Sequence, residues 1–424
     1  MILPPGPRGW PLVGSLFDFL RDMPEFFLEQ AAQRSISGFM LGPHPAVLVN
    51  EPEEIQRILV TEAGNFVKSR GFQRTRRLLG DGLLTSEGAF HLRQRRLAQK
   101  AFTKARIQAY APAMLAAASG LTWVSGEVRD VLADMTALTL RIAAETLFSA
   151  DVTGRAADIG KALDTFLHHF PKMLIPGAEL LDKVPGHPLT RARRQIDSVL
   201  FSLIEERRRA ADPGTDLLGL LMSAVDEEGD GGRMNDVQLR DELVTMLLAG
   251  HETTANALTF TLYLLALNPA WQDRVREEAL AQSLELDSLP LTRNVFAEGI
   301  RLYPPAWTTG RKAVAPYQLG PWTLPAGCTV FVSPLVTHRD ARFFPNPLAF
   351  LPERERPRTA YFPFGAGIRQ CIGERFAWQE GVLTLATLLR SWRFAYEGNR
   401  PPRVQGSVTL RPRGGLGLRI HRCI

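Results

Sequence analysis

The chain has 424 residues, 45% hydrophobic and 22% charged, with a formal net charge of +6 and a mean hydropathy of −0.07. This is the balance of a soluble globular protein with a substantial core, and it lends a nucleic-acid role little support. Cys328, Cys371 and Cys423 are too few and too scattered for a disulfide framework. With no signal peptide expected at Met1, a reducing cytoplasm fits best.

Helical periodicity dominates from about Pro24 to Trp392, for example in Leu217, Leu220, Leu221 and Ala224. Strand-like runs are short, the clearest being Ala46 to Val49, Thr329 to Val332 and Ser407 to Leu410. No linker, repeat or low-complexity tract divides the chain, so one large domain over residues 1–424 is expected.

Early in the chain, His91-Leu-Arg-Gln-Arg95 sets two donors on one helix face, while Arg96, Lys100 and Lys104 fall on the opposite one. Taken alone, both stripes read as solvated charge. The longest helix is expected between Asn235-Asp236, a good N-cap, and Asn268-Pro269, a good stop. Its middle carries Ala249-Gly-His-Glu-Thr-Thr254. Small residues followed by an acid and two hydroxyls are unusual inside an apolar helix. Ala249, Thr253 and Ala257 share a face, and Gly250 leaves a dent for a small molecule or water. The competing reading is a kink in which Thr253 bonds back to a helical carbonyl. The flanking apolar stretches, Leu243 to Ala249 and Ala257 to Leu267, fall short of the roughly 20 residues a bilayer span needs, so no transmembrane anchor is expected.

Further on, Glu298 and Arg301 are spaced as an i, i+3 pair, and Arg354 offers a third member for a buried network with a structural role. Cys371, seventeen residues later, lies in the most informative segment, Phe364-Gly-Ala-Gly-Ile-Arg-Gln-Cys-Ile-Gly373. Its glycines allow a tight loop whose backbone N–H groups point at the Cys371 sulfur and favour a thiolate, with Phe364 as a cap against water. A sulfur held in this way ligates haem iron. Beside such a centre, Thr253 would hold dioxygen and its water while Glu252 connects to solvent, because cleaving an O–O bond requires protons. Two haem carboxylates need cationic donors, a task assigned to His91, Arg95, Arg311 and Arg369. Gly365, Gly373 and Ala249 are expected against the cofactor, and the stripe of Arg96, Lys100 and Lys104 would be a basic docking face for an acidic electron donor.

Together these segments resemble the cytochrome P-450 superfamily, the haem-thiolate monooxygenases, over nearly the whole chain from Pro4-Pro-Gly-Pro7 onward. The resemblance implies a mainly α fold, a single large domain of helices with small β-sheets at one side. It implies haem b, oxygen insertion with electrons from NAD(P)H, and a ferredoxin with its reductase as separate partners. Ile300-Arg-Leu-Tyr-Pro-Pro-Ala-Trp307, Tyr361 to Gly365 and Val408 to Pro412 are similar to soluble bacterial carotenoid β-ring hydroxylases, with fatty-acid hydroxylases sharing such segments. Pocket segments of the family fall on Phe72 to Leu84, Phe166 to Val184, Ala306 to Thr309 and Ser407 to Leu410. They offer Phe72, Leu78, Leu79, Phe166, Phe170, Met173, Leu174, Ile175 and Trp307 to a large apolar substrate, with peripheral membrane contact as a route to it. A peroxide-driven peroxygenase is disfavoured by the Glu252–Thr253 pair, and a haem gas sensor would need neither that pair nor a docking face.

Overall fold

The computed structural model describes residues 3–148, 153–173, 186–210, 212 and 214–423, and helix is its dominant element. The principal helices are α1 (Arg70–Leu79), α2 (Gly88–Gln99), α3 (Val131–Phe148), α4 (Thr153–Met173), α5 (Pro188–Arg209), α6 (Asp236–Leu267), α7 (Pro290–Leu302) and α8 (Glu374–Ser391). Among the strands are β1 (Ile36–Leu41), β2 (His44–Val49), β3 (Phe66–Lys68), β4 (Thr309–Ala313), β5 (Thr329–Val332), β6 (Val404–Gly406) and β7 (Leu410–Pro412). The chain gathers into two compact units. One takes Met1–Gln73, Ala297–Cys371 and Pro401–Gly414; the other takes Arg74–Phe296, Ile372–Arg400 and Gly415–Ile424.

In the first unit a five-stranded sheet runs in the order β1-β2-β5-β4-β3. β2 and β5 pair in parallel from Ala46↔Thr329 to Val49↔Val332, and the other neighbours are antiparallel. Central strands covered on both faces read as continuous apolar runs, as Ala46 to Val49 does. Val47, Val49, Phe66, Val330, Val332 and Phe362 are buried in one cluster. Of the run Ser407 to Leu410, only Leu410 is in a strand, as the first residue of β7. Ser407 N–H donates to Thr409 C=O at 3.0 Å, closing a turn, and the antiparallel pair β6/β7 flanks it. Its β-branched composition supplies a propensity that the turn geometry overrides.

In the second unit α6 runs for 32 residues, about 48 Å at the helical rise. Asn235 and Gln238 form a reciprocal capping box at its start, and Asn268 with Pro269 ends it. A helix apolar all round must be enclosed, and α6 packs against α3, α5 and α8. From Leu239 to Ala266 every residue is buried except Ala249, Gly250 and Thr253. A three-stranded sheet of Val128–Asp130, Gly417–Arg422 and Trp392–Ala395 completes this unit. No described helix is long and apolar enough to cross a membrane.

Candidate active site

The Cys371 loop takes its shape from its glycines. Gly365 and Gly367 both have φ of 70°, a left-handed conformation that L side chains rarely adopt. Gly367 is also pressed against the Leu59 carbonyl, leaving no room for a Cβ. The loop closes when Cys371 N–H donates to Phe364 C=O at 2.9 Å, Gln370 N–H to Gly367 C=O at 3.0 Å and Gly365 N–H to Phe362 C=O at 3.0 Å. Cys371, exposed and in no disulfide, stands at the end of this turn. Phe364 shapes the loop through its carbonyl. Arg369 Nη2 donates to Phe66 C=O in β3 at 3.0 Å, and Arg311 in β4 pairs with Lys68 of the same strand. The first unit therefore contains the thiol and sets two of the expected donors beside β3.

Beneath the loop lies a buried charge network. Glu298 and Arg301 are both fully buried, and Arg301 donates to the Glu298 carboxylate from Nε at 2.9 Å and from Nη2 at 2.8 Å. Arg354 Nε adds a bond to Glu298 Oε1 at 2.8 Å, as the spacing predicts. Three features are not visible in that spacing. Arg356 stands 3.8 Å from Glu298, and Leu351 N–H donates to Glu298 at 3.0 Å. Arg301 also donates to the carbonyls of His338, Pro347 and Ala349 at 2.6, 2.8 and 3.1 Å. His338 is the link to the loop, because its Nε2 accepts Phe362 N–H at 3.1 Å. Complete burial holds this imidazole neutral, its pKa pushed down to about 3 with Arg301 adding to the effect. Tyr361 Oη donates to Ala297 C=O at 2.9 Å, tying the same stretch to α7.

In the second unit His91 and Arg95 sit one turn apart on α2, His91 buried with Nδ1 3.3 Å from Ser86 Oγ and Arg95 half-buried. Between Leu239 and Ala266 of α6 the only break in burial is the strip of Ala249, Gly250 and Thr253, and a Cβ at Gly250 would meet nothing within 4 Å. Thr253 Oγ1 donates to Ala249 C=O at 2.6 Å, the helical back-bond, which leaves its lone pairs to accept from outside. Glu252, one residue earlier, is buried. Next to the strip, Thr254 hydrogen-bonds Glu380 of α8, a buried carboxyl the sequence does not single out; burial pushes its pKa up to about 8. Gly373 is the N-cap of α8.

Two expectations need correction. The stripe of Arg96, Lys100 and Lys104 does not lie on one helix, since α2 ends at Gln99 and a 3₁₀ turn covers Lys100–Phe102. Nor is it a free basic face. Arg96 forms a bidentate pair with Asp226 at 2.9 Å, Lys100 reaches Glu227 at 3.2 Å, and Lys104 reaches Asp287 at 3.3 Å. An acidic turn about 130 residues away in sequence thus meets Arg96 and Lys100, and Asp287 of a separate turn meets Lys104. Trp307 is likewise core: it is 1% exposed, packs on Phe27 with ring centroids 5.7 Å apart, and donates to Ser407 C=O at 3.3 Å. Leu78, Leu79, Phe166 and Phe170 are buried. Leu174 and Ile175 lie outside the described residues.

A glycine-shaped cysteine loop resting on a Glu–Arg–Arg network, with an acid–alcohol notch in a long buried helix, finds its match in known proteins. The family model Cytochrome P-450 matches residues 4–417. The chain belongs to the cytochrome P-450 family. It is therefore an enzyme of the monooxygenase class, with haem iron as its cofactor. The chain is 36% identical to cyclooctatin synthase of Streptomyces melanosporofaciens, over 96% of this chain and 93% of that one. It is 32% identical to pentalenene oxygenase of Streptomyces avermitilis, over 98% and 96%. In fold it resembles the retinoic-acid-bound cyanobacterial CYP120A1, with a TM-score of 0.89, 24% identity and 99% coverage of both chains. The residues fit the cofactor: a P-450 haem needs one thiolate and cations for two carboxylates. Cys371 is an exposed thiol in no disulfide, Arg369 bonds to β3, and Arg311 lies on the strand paired with β3.

Proposed function

We propose that this P-450 hydroxylates a terpenoid of large apolar surface, using haem b, dioxygen and electrons passed from NAD(P)H through a separate ferredoxin and reductase. The observation that carries an oxygen-activating role is the strip of Ala249, Gly250 and Thr253, the one accessible stretch of α6 between Leu239 and Ala266. A carrier or sensor needs no hydroxyl and carboxyl at such an opening. The terpenoid class is supported by the relatives, since cyclooctatin and pentalenene are terpenoid products and substrates. A carotenoid ring is the narrower reading within that class.

Cys371 would hold the haem iron as thiolate, and His91, Arg95, Arg311 and Arg369 would hold its two carboxylates by charge-assisted hydrogen bonds. Haem bound in this way supplies the activation of dioxygen for insertion of one oxygen atom into a C–H bond. The chain's own residues then do the rest. Gly365 and Gly367 keep the cysteine loop turned so that backbone N–H groups support the thiolate, and Gly250 and Ala249 leave space at the notch. Thr253 Oγ1, anchored as donor to Ala249 C=O, accepts a hydrogen bond from a water and so holds it at the notch, and the Glu252 carboxyl would pass protons from solvent to that water. Glu298, Arg301 and His338 keep the loop's approach rigid without touching substrate.

The test is a titration of the holoenzyme with a polycyclic terpene, a carotenoid and a fatty acid, reading the haem spin shift. Turnover with a ferredoxin system follows. A shift and coupled NADPH consumption with the terpenoid support the proposal. A response to the fatty acid alone refutes the substrate class, and a Cys371→Ala protein that keeps the thiolate-type reduced carbon monoxide band refutes the ligand.

A further inference from the structure

The connection between α1 and α2, residues 80–87, is strapped to α6 by two consecutive carboxylates that the reaction does not use. Asp81 N–H donates to Asp241 Oδ2 at 2.7 Å, and Leu83 N–H donates to Glu242 Oε2 at 3.0 Å. The strap thus offers alternate amides to neighbouring helix residues. The second oxygen of Glu242 accepts from Gln94 Nε2 of α2 at 3.2 Å, and Glu242 and Gln94 are both fully buried. Asp241 Oδ1 accepts from Arg240 Nη1 at 3.0 Å, and Arg240 also pairs with Asp197 on α5. Within the strap, Thr85 Oγ1 donates to Gly80 C=O at 2.6 Å, and Ser86 Oγ lies 3.3 Å from His91 Nδ1.

The fit leaves no slack. Gly80 has φ of 64°, and a Cβ there would overlap the Asp241 carboxylate. A Cβ at Gly82 would overlap Thr245 Oγ1 and the Asp241 carbonyl. Packing alone does not call for buried acids, because apolar residues of similar volume hold a helix against a loop without the desolvation penalty. Carboxylates here do what an apolar residue cannot, which is to fix particular amides and a particular side chain on α2. Glu242 reaches α2 directly through Gln94, one residue before Arg95, and the strap reaches it through Ser86 on His91.

We propose that Asp241 and Glu242 form a bracket that sets the pose of the 80–87 strap and, through Gln94 and Ser86, aims His91 and Arg95 at the haem carboxylates. They are positioning residues for those donors. The proposal rests on the assignment of His91 and Arg95 given above. Outer partners of cofactor-holding residues commonly change affinity by 10- to 100-fold, so haem should leave the Glu242→Ala holoenzyme about tenfold faster than wild type.

The experiment compares wild type, Glu242→Ala, Glu242→Gln, Gly82→Ala and His91→Ala as holoenzymes. It reads amide hydrogen exchange at Asp81 and Leu83, the resonance Raman bending modes of the haem propionates, and haem transfer to apomyoglobin. Glu242→Ala should expose the Leu83 amide, shift the propionate modes and speed transfer. Glu242→Gln keeps an acceptor for Leu83 and should restore most of each. If Glu242→Ala does not fold, Gly82→Ala lifts the strap from the other side and should give the same three changes. Faster amide exchange with unchanged propionate modes, in a protein whose His91→Ala variant does shift them, overturns the proposal. Unchanged modes in His91→Ala itself overturn the donor assignment and the proposal with it.

Discussion

Arg301 is the residue whose replacement the structure prices most directly. Its guanidinium is fully buried and makes two bonds to Glu298 and one each to the carbonyls of His338, Pro347 and Ala349. Removing one partner of a buried ion pair costs about 3–5 kcal/mol. Ala349 C=O keeps Arg354 as a donor at 3.0 Å, whereas His338 and Pro347 lose the donor described here, at about 1–3 kcal/mol for each stranded carbonyl. Arg301→Leu therefore costs roughly 5 kcal/mol or more, a large share of the about 5–15 kcal/mol that holds an ordinary domain together, and folded protein should not accumulate. Arg301→Lys is the informative variant. It keeps the charge but loses the planar fork, so it cannot serve Glu298 and the carbonyls together. Losing two charge-assisted bonds puts its cost at about 3 kcal/mol. Urea unfolding followed by far-UV circular dichroism measures this against wild type. An Arg301→Lys protein within about 1 kcal/mol of wild type would refute the account, because the five contacts would then be dispensable geometry.

Thr253→Ala should leave substrate binding and first-electron reduction intact while product per NADPH falls by about 10²-fold, the lower end for a positioned acid–base group, with hydrogen peroxide making up the difference. Equal coupling would reduce Thr253 to its back-bond with Ala249. For Glu380 the folded protein holds a proton near pH 8 that the unfolded chain releases near 4.5. Its contribution to stability is therefore full below about pH 4.5 and lost as pH rises toward 8. Glu380→Gln should flatten the fall in stability across that window, and a slope identical to wild type would contradict the burial argument. Gly367→Ala forces both a left-handed backbone and an overlap with the Leu59 carbonyl, so the loop must shift. The thiolate-type carbon monoxide band should weaken relative to total haem, and an undiminished band would show that the turn is not what presents Cys371.

What the sequence discloses here is what short-range chemistry encodes. α6 is legible because its capping box, its apolar length and its Asn-Pro stop are all local, and the cysteine loop because left-handed turns demand glycines at fixed offsets. Glu298, Arg301 and Arg354 are legible as charges at helical and loop spacing. Their carbonyl acceptors are not, since backbone groups carry no sequence signal, and neither is the His338 ring that accepts Phe362 N–H. The stripe of Arg96, Lys100 and Lys104 misleads for a related reason: amphipathic reading extends one helix by itself, while α2 stops at Gln99 and Asp226 and Glu227 arrive from a distant turn. Ser407 to Leu410 misleads through composition, because β-branched residues mark a turn here as easily as a strand. The Asp241–Glu242 bracket hides behind ordinary acids near a helix start, where solvated charge is the usual meaning.

The pairing of β2 with β5 also sets a timetable for synthesis. Val49 and Thr329 belong to neighbouring strands of one sheet, yet about 280 residues separate them. At a ribosomal pace of about 5–20 residues per second, β2 is exposed for roughly 15–55 s before its parallel neighbour is made. During that interval a β1–β2 hairpin would have both outer strands as edges, and the β2 edge that β5 later covers is a template for any other extended segment nearby. The last strands of the same unit, β6 and β7, come later still. A nascent chain thus carries that open edge for most of its translation, and slowing elongation after Val49 should raise the aggregated fraction even though β5 covers the edge in the finished sheet.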